Sequence, residues 1–516
     1  MVRFLKWLFS ISLVLVGLYL AAEWQMKREV KEFLDRKVPD HIDFSYDHLY
    51  INLFKGDLIF KNTTVISLGR QTSSCEIRVV ADTFSVEGFS YWKFFLDESI
   101  YLKKLTLAKP SVNFVTCVKD STASVNKAQP INLLKPIYIE NLIFESGKTN
   151  IWNASKDTEI LAVNSIDLHI KDVQTDPNII QNYVPFLFSD YDITIADLKA
   201  PLGDYEVLEM ETMNLNNSSI DIENVSLTTI YSKKELSANI TYERDHIDLK
   251  IPKIQVHDHT YAISHDSLLV SYGSLSLGQP YLEMYRDKSK IHDTRRRRLY
   301  GEMLRNLSFK LDIDSVLIDK AIVRYEEDAP NKVNAGILTF EDLNATIQNL
   351  SNLPNTEDTH IALDADLMGT GEFKLDWRFN VNDTHEKFVV SGELANFETS
   401  KLNDFLVPNL RTKTEGMIDQ MYFTISGDEY VASGDIKMHY QDFKIQILNK
   451  ERGKVKKVLS FLGNLFISDG SKADENGFRY GQISTERPKD KSFFNYLWVN
   501  LEDGLLSVLT GNGKKE

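Results

Sequence analysis

Few residues in this chain combine the types and spacing that chemistry needs. His257, Asp258 and His259, with His265 close behind, are the densest run of metal-ligand types, and on an extended strand His257 and His259 would share a face. Asp364 and Asp366 likewise set two carboxylates on one strand face, the minimum for paired acid and base work. Neither set has a basic or metal-binding partner identifiable nearby, and a wet strand face accounts for both. Arg295, Arg296, Arg297 and Arg298, with Lys288, Lys290 and Arg305, form the one dense basic patch. Its charge suits lipid headgroups or an anionic partner, and equally a solvated loop or helix face. Cys75 and Cys117 are too few for a disulfide framework and lack CxxC spacing, which leaves two buried thiols or a single bridge. A GxxxxGK phosphate loop, a GxSxG elbow and an HExxH helix are all missing from the sequence, so phosphoryl transfer, acyl transfer and zinc hydrolysis lack their signatures. The expectation is a protein that is not an enzyme and needs no cofactor or metal.

The elements that would position these residues are mostly strands. Phe44 and Tyr46, Leu58 and Phe60, Ile166, Leu168 and Ile170, Ile247, Leu249 and Ile251, and Phe309, Leu311 and Ile313 alternate with polar residues. Each run is short and bounded by Asn, Asp, Gly or Lys, as antiparallel strands with one dry and one wet face require. The strand-helix alternation of a parallel α/β enzyme never appears. With 43% hydrophobic and 11% aromatic residues among 516, the chain has ample material for a folded core. Its net charge of −15 repels phosphate backbones, which argues against nucleic acid as a partner.

Both ends differ from this pattern. Phe4 to Ala22 is almost wholly apolar, close to the roughly 20 residues a spanning helix needs. A cleaved signal peptide is the competing reading, opposed by Leu20 where cleavage wants a small residue. Residues 23–39 continue in helical style, with Trp24 placed as an interfacial anchor. Lys27, Arg28, Lys31, Arg36 and Lys37 outnumber Arg3 and Lys6, a count that weakens export of the body without reversing it. At the other end Phe494, Leu497, Trp498, Leu501, Leu505 and Leu509 recur at helical steps and form one apolar face. That face would pack on the sheet, or else on a membrane surface or over a groove. The organisation expected is an anchor over 1–22, a juxtamembrane helix over 23–39, a β region over 40–284, a basic, partly helical connector over 285–305, a second β region over 306–450 and a terminal segment over 451–516.

This order of features resembles the AsmA-like family of bacterial envelope proteins, relatives of TamB, in the form found in Bacteroidetes-type bacteria. The phrases that carry the resemblance are Tyr50-Ile-Asn-Leu-Phe-Lys-Gly-Asp-Leu-Ile-Phe, Leu102-Lys-Lys-Leu-Thr-Leu-Ala-Lys-Pro110, Leu311-Asp-Ile-Asp-Ser-Val-Leu-Ile, Gly336-Ile-Leu-Thr-Phe-Glu-Asp-Leu-Asn-Ala-Thr-Ile, Gly434-Asp-Ile-Lys-Met-His-Tyr-Gln-Asp-Phe-Lys-Ile and Lys491-Ser-Phe-Phe-Asn-Tyr-Leu-Trp. The resemblance implies a mainly β fold akin to bridge-like lipid-transfer proteins: an N-terminal transmembrane helix, then an elongated, curved antiparallel sheet, U-shaped in section, with a few short helices and a C-terminal amphipathic helix. It further implies a single-pass inner-membrane protein with its bulk in the periplasm, whose apolar trough holds or conducts phospholipid acyl chains and supports outer-membrane lipid homeostasis. Ile313, Ile318, Leu338, Phe340 and Ile347 are the expected groove lining. On the order of 25 strands at about 4.8 Å each would make a sheet of roughly 120 Å. A closed β-sandwich core would give the same alternation, and the rival function is an envelope scaffold that binds another envelope protein without carrying lipid.

Overall fold

The structure, a computed structural model, describes residues 2–37, 42–68, 76–116, 135–182, 184–263, 267–330, 334–448 and 472–510. The chain is mainly β, with 59% of it in strands and 16% in helices. It divides into two compact units, one formed by residues 1–204 with 208–217 and the other by 205–207 with 218–516. The basic segment 285–305 lies within the second unit. Cys75, Cys117 and His265 lie outside the described residues, as does all of 449–471.

The first unit opens on α1 (Val2–Lys37). The helix crosses the expected boundary after Ala22 without a break, held by i,i+4 ion pairs of Glu23 with Lys27 (2.8 Å) and Arg28 with Glu32 (3.0 Å). Among the described residues no helix is long and apolar enough to cross a membrane. The expected span over 1–22 finds no support among them: the described side chains of α1 begin at Leu15, and the apolar stretch they continue gives way to charge from Glu23 onward.

Ten strands follow: β1 (Ile42–Ser45), β2 (His48–Asn52), β3 (Asp57–Leu68), β4 (Glu76–Glu87), β5 (Ile100–Ala108), β6 (Ser111–Val115), β7 (Ile137–Trp152), β8 (Glu159–Thr175), β9 (Asp190–Leu202) and β10 (Glu206–Asn216). The short α2 (Tyr91–Leu96) precedes β5, with the Ser90 side chain capping its first turn. The second unit holds β11 (Ser219–Thr229), β12 (Asp245–His257), β13 (Thr260–Ile263), β14 (Leu268–Gly278), β15 (Tyr281–Asp287), β16 (Lys310–Asp328), β17 (Gly336–Ser351), β18 (Thr359–Leu367), β19 (Gly371–Phe379), β20 (Phe388–Glu398), β21 (Thr412–Gly427), β22 (Val431–Ile447) and β23 (Arg479–Glu486). Its helices are α3 (Lys233–Asn239), α4 (Tyr300–Arg305), α5 (Asn403–Leu410) and α6 (Phe493–Thr510).

Most neighbours are antiparallel, as expected, but each unit has one parallel step built the same way. In the first, β4 pairs with β5 and then β6, which read as one strand broken at Lys109 and Pro110, and both run parallel to β7. In the second, β12 pairs with β14 and β15, broken at Gln279 and Pro280, and both run parallel to β16. Proline has no N–H to give a ladder, so the strand breaks there while its carbonyl still accepts. Lys148 N donates to Pro110 O and Ile322 N to Pro280 O, each at 2.8 Å. The residue before each proline is left-handed (φ 49° and 50°), as is the residue facing the break, Ser146 or Lys320. The arginine-rich segment is thus the return crossover that makes β16 parallel, with helix only from Tyr300.

Long strands are interrupted by single left-handed residues, among them Asn62, Asp197, Asn224, Lys320, Asp342, Asn396 and Asp442. Asn and Asp tolerate this conformation best, and each such bulge bends its strand. Across most of them the apolar spacing changes from two to three, as in Ile222 to Val225, Leu394 to Phe397 and Tyr440 to Phe443. The same sheet face therefore stays apolar through the bend.

The main buried cluster lies wholly between Leu299 and Leu509. There α6 packs on β22 and β23, and Phe493 stacks on Trp377 with ring centroids 4.2 Å apart. The helix buries Phe493, Tyr496, Asn500, Gly504, Val508 and Leu509. This corrects the expected face by about one helical position. Leu497, Leu501 and Leu505 flank the contact, half-buried against the cluster, Leu509 belongs to it and Phe494 is exposed. Gly504 causes the rotation, because a Cβ there would meet Ile483 Cγ1 at 2.8 Å and Ile436 Cγ2 at 2.9 Å. Only the glycine edge of the helix can lie against the sheet. Gly504→Val should therefore destabilise this unit by about 1–3 kcal/mol, read as a lower urea midpoint, whereas Phe494→Ser should leave the midpoint nearly unchanged.

Candidate functional site: an apolar sheet face

Cross-strand register turns the alternation into continuous rows. In the first unit Leu49, Phe60, Phe84, Leu107, Phe144, Leu168 and Ile193 are successive partners from β2 to β9. Two residues along each strand, Ile51, Leu58, Val86, Leu105, Leu142, Ile170 and Tyr191 repeat the pattern. Six strand steps make a dry band of roughly 29 Å. Phe60 and Ile170 are buried, while Phe84, Leu107, Phe144, Leu168 and Ile193 are half-buried. The helices of this unit sit at its margins, α1 against β2 and α2 against β5. The other face carries cross-strand pairs such as Lys171 with Asp190 (2.8 Å) and Lys199 with Glu209 (2.9 Å), and nearer its middle the row Ile59, Ser85, Thr106 and Ile143, with Ser85 and Thr106 buried.

The second unit has rows of the same kind. Ile220, Val256, Leu275, Val316, Ile347, Ile361, Trp377, Val390 and Ile425 follow one another in register, and Ile222, Ile254, Leu277, Ile318, Ala345, Leu363 and Leu375 run beside them. Toward β23 these rows pass under α6 and join the closed cluster; toward β11 they are a mixture of buried and half-buried residues.

Of the expected lining residues, Ile318 and Ile347 stand side by side in these two rows, half-buried. Ile313 is buried between Tyr272 and Leu350. Leu338 and Phe340 pack against the C-terminal cluster, with the Phe340 and Phe373 ring centroids 5.8 Å apart. The sequence reading placed Leu58, Phe60, Leu168 and Ile170 on alternating strands but named no first-unit residue as lining, although Phe84 and Phe144 carry the same alternating signal.

The arginines of the crossover each face a carboxylate. Arg295 and Arg297 reach Asp293 at 2.8 and 2.9 Å, Arg296 bridges Glu302 (2.7 Å) and Glu429 (2.6 Å), and Arg298 lies 3.4 Å from Glu302. The Arg295 guanidinium, aided by Arg297, holds the Asp293 carboxyl well below the usual range. Arg297 N also donates to Lys489 O (2.8 Å), tying the crossover to the segment before α6. At its end Arg305 pairs with buried Glu386, whose second oxygen accepts from Glu302 N at 2.9 Å.

The histidine set comes apart in the structure, whereas Asp364 and Asp366 keep to one face of β18, opposite Lys374 and Glu372. β12 ends at His257, Asp258 turns with φ 55°, and His259 falls in the turn, so the exposed His257 and buried His259 share no strand face. Asp364 is exposed and accepts from Asn344 Nδ2 at 3.1 Å. Among the described residues no cluster of three or more metal-ligand types occurs. An open cleft of about 1040 Å³ lies between α3, α5 and the ends of β15, β16 and β17. Within it Lys233 sits 2.8 Å from both Glu283 and Glu326, whose hydrogen bonds and charges outweigh burial and raise its pKa. Burial, then Asp328 and Asp287, push the Tyr285 phenol up to about 12. This cleft has the make-up of a structural ion network. The apolar face is the larger unexplained feature.

Because Glu386 is buried, removing its partner leaves an uncompensated charge. Arg305→Ala should cost about 3 kcal/mol or more, while Arg295→Ala, almost wholly exposed, should stay within about 0.5 kcal/mol; urea unfolding of the two variants compares them directly.

Set against known proteins, the sequence matches no family model and no curated protein.

Proposed function

We propose that this chain is an inner-membrane-anchored periplasmic protein that holds or conducts phospholipid along its apolar sheet face and so supports outer-membrane lipid homeostasis. The observation that carries the reading is the pair of register-matched apolar rows in the first unit, most of whose residues are half-buried, with ion pairs on the opposite face. A band of roughly 29 Å exceeds the roughly 15 Å of one acyl layer, so a lipid tail fits along it with room for a second. Each methylene moved from water into such a trough gains about 0.8 kcal/mol. No residue does chemistry here; transfer follows from a continuous path of low polarity. The anchor in this reading is α1, whose Leu15, Val16, Leu18 and Leu20 are exposed and continue the apolar sequence from Phe4. The resemblance to AsmA-like proteins points the same way.

Native mass spectrometry with lipid extraction on residues 42–516, purified without detergent, tests the reading. Stoichiometric phospholipid is the expected result. Phe84→Asp combined with Phe144→Asp should reduce it roughly tenfold, since a carboxylate in the trough must be desolvated. Lys104→Asp, away from the apolar rows, should not. A folded body that is reproducibly free of lipid would instead favour the protein-binding scaffold.

A further inference from the structure

One end of the first unit exposes large apolar side chains in a way that neither strand packing nor the trough requires. Phe54, at the turn between β2 and β3, is 88% exposed; on α2, Trp92 is 77%, Phe95 72% and Leu96 70% exposed. These groups form one connected edge. Gly56 O of the β2 to β3 turn accepts from Phe89 N at 2.9 Å, Gly88 N donates to Asp57 Oδ1 at 3.0 Å, and the Phe89 ring lies 5.5 Å from Phe94 on α2. The edge is also continuous with α1, because Tyr19 stacks on Phe54 with centroids 5.1 Å apart and planes within 3°. Burial together with the nearby Asp57 and Tyr19 raises the Tyr91 phenol, which places the start of α2 by the same helix.

We propose that Phe54, Trp92, Phe95 and Leu96 form a membrane-interface foot that seats this end of the sheet on a lipid surface beside α1. Aromatic rings with an apolar body are the side chains that settle at the headgroup level. Contiguous exposed aromatics on a soluble face would be a liability. The charge at the edge suits headgroup phosphates: Lys55 and Lys93 are exposed beside the aromatics, and Lys135 lies over the Phe94 ring at 4.5 Å. Asp97 and Glu98, exposed just past Leu96, share this rim, so the aromatic rings carry the seating and the lysines add local phosphate contacts. The foot deepens the lipid-holding reading, on which it rests, by naming where the dry face meets the bilayer: Val86 and Leu105 of the inner row lie within a few residues of Gly88 and α2.

The test uses the full chain with Cys75→Ser and Cys117→Ser, carrying an NBD probe at Leu96→Cys or, in a second protein, at Phe95→Cys. A control probe goes at Ser155→Cys, in the β7 to β8 turn, roughly 50 Å away along β7. Each protein is mixed with vesicles of phosphatidylcholine containing a minority of phosphatidylglycerol and headgroup-proximal doxyl lipid. Quenching at 95 and 96 at least about twofold stronger than at 155, lost in Phe54→Ser/Trp92→Ser, is the expected result. Equal quenching at all positions, or none at 95 and 96, overturns the foot; the latter leaves the patch to a protein partner. Lipid content of the detergent-free body is read separately. A quenched foot with a lipid-free body upholds the foot and sinks the lipid-holding reading, and an unquenched foot on a lipid-loaded body does the reverse.

Discussion

The constraint on which this structure depends is that each strand of both units carries apolar side chains on one face, and that face must be kept from water through strands of up to 19 residues. A straight strand of such length would splay away from a closed core. The left-handed Asn and Asp residues resolve this by bending the strand while advancing the side-chain phase by one, so Ile222 and Val225 stay on one side although they are three positions apart. Bending and face-keeping are one event at one residue.

Much of this was legible in the sequence. Period-two alternation located the strands, and the slips to three, visible in Ile220, Ile222, Val225 and Leu227, mark bulges that alternation alone passes over. The parallel steps were not legible, because a proline inside a strand-like run reads equally as a strand end. Only the register on both sides of Pro110 and Pro280 identifies a strand that continues past its own break. The face of α6 was misjudged for a related reason: hydrophobicity counts Leu501 and Leu505 and gives no weight to Gly504, yet distance of closest approach favours the residue with no side chain. Asn500 shows the same thing, fully buried with its Nδ2 donating to Tyr496 O at 2.8 Å.

The arginine run illustrates how charge density misleads when partners are distant in sequence. Glu429 lies 133 positions from Arg296, and Glu386 lies 81 from Arg305. From sequence the run has the look of an unneutralised patch. In the fold it fastens a crossover to a hairpin and to the segment ahead of α6, and a crossover held this way fixes the register of β16 against β14 and β15.

The contrast between the helix-covered cluster of the second unit and the apolar face of the first is written in where glycine sits. Under α6, aromatic rings lie flat over neighbouring glycines: a Cβ at Gly392 would meet Phe423 Cζ at 2.2 Å, one at Gly371 would meet Phe397 Cδ2 at 2.5 Å, and one at Gly427 would meet Phe388 Cζ at 2.7 Å. Rings laid over glycine keep the sheet surface low enough for a helix to approach. In the first unit Gly147 is the one glycine inside a described strand, and it serves the bulge opposite Pro110. There the rings meet other rings, with Phe60 5.7 Å from Phe84 and 5.6 Å from Phe44. The two faces are thus filled differently, ring against ring in the first unit and ring over glycine in the second, and it is the glycine-lowered surface that receives α6.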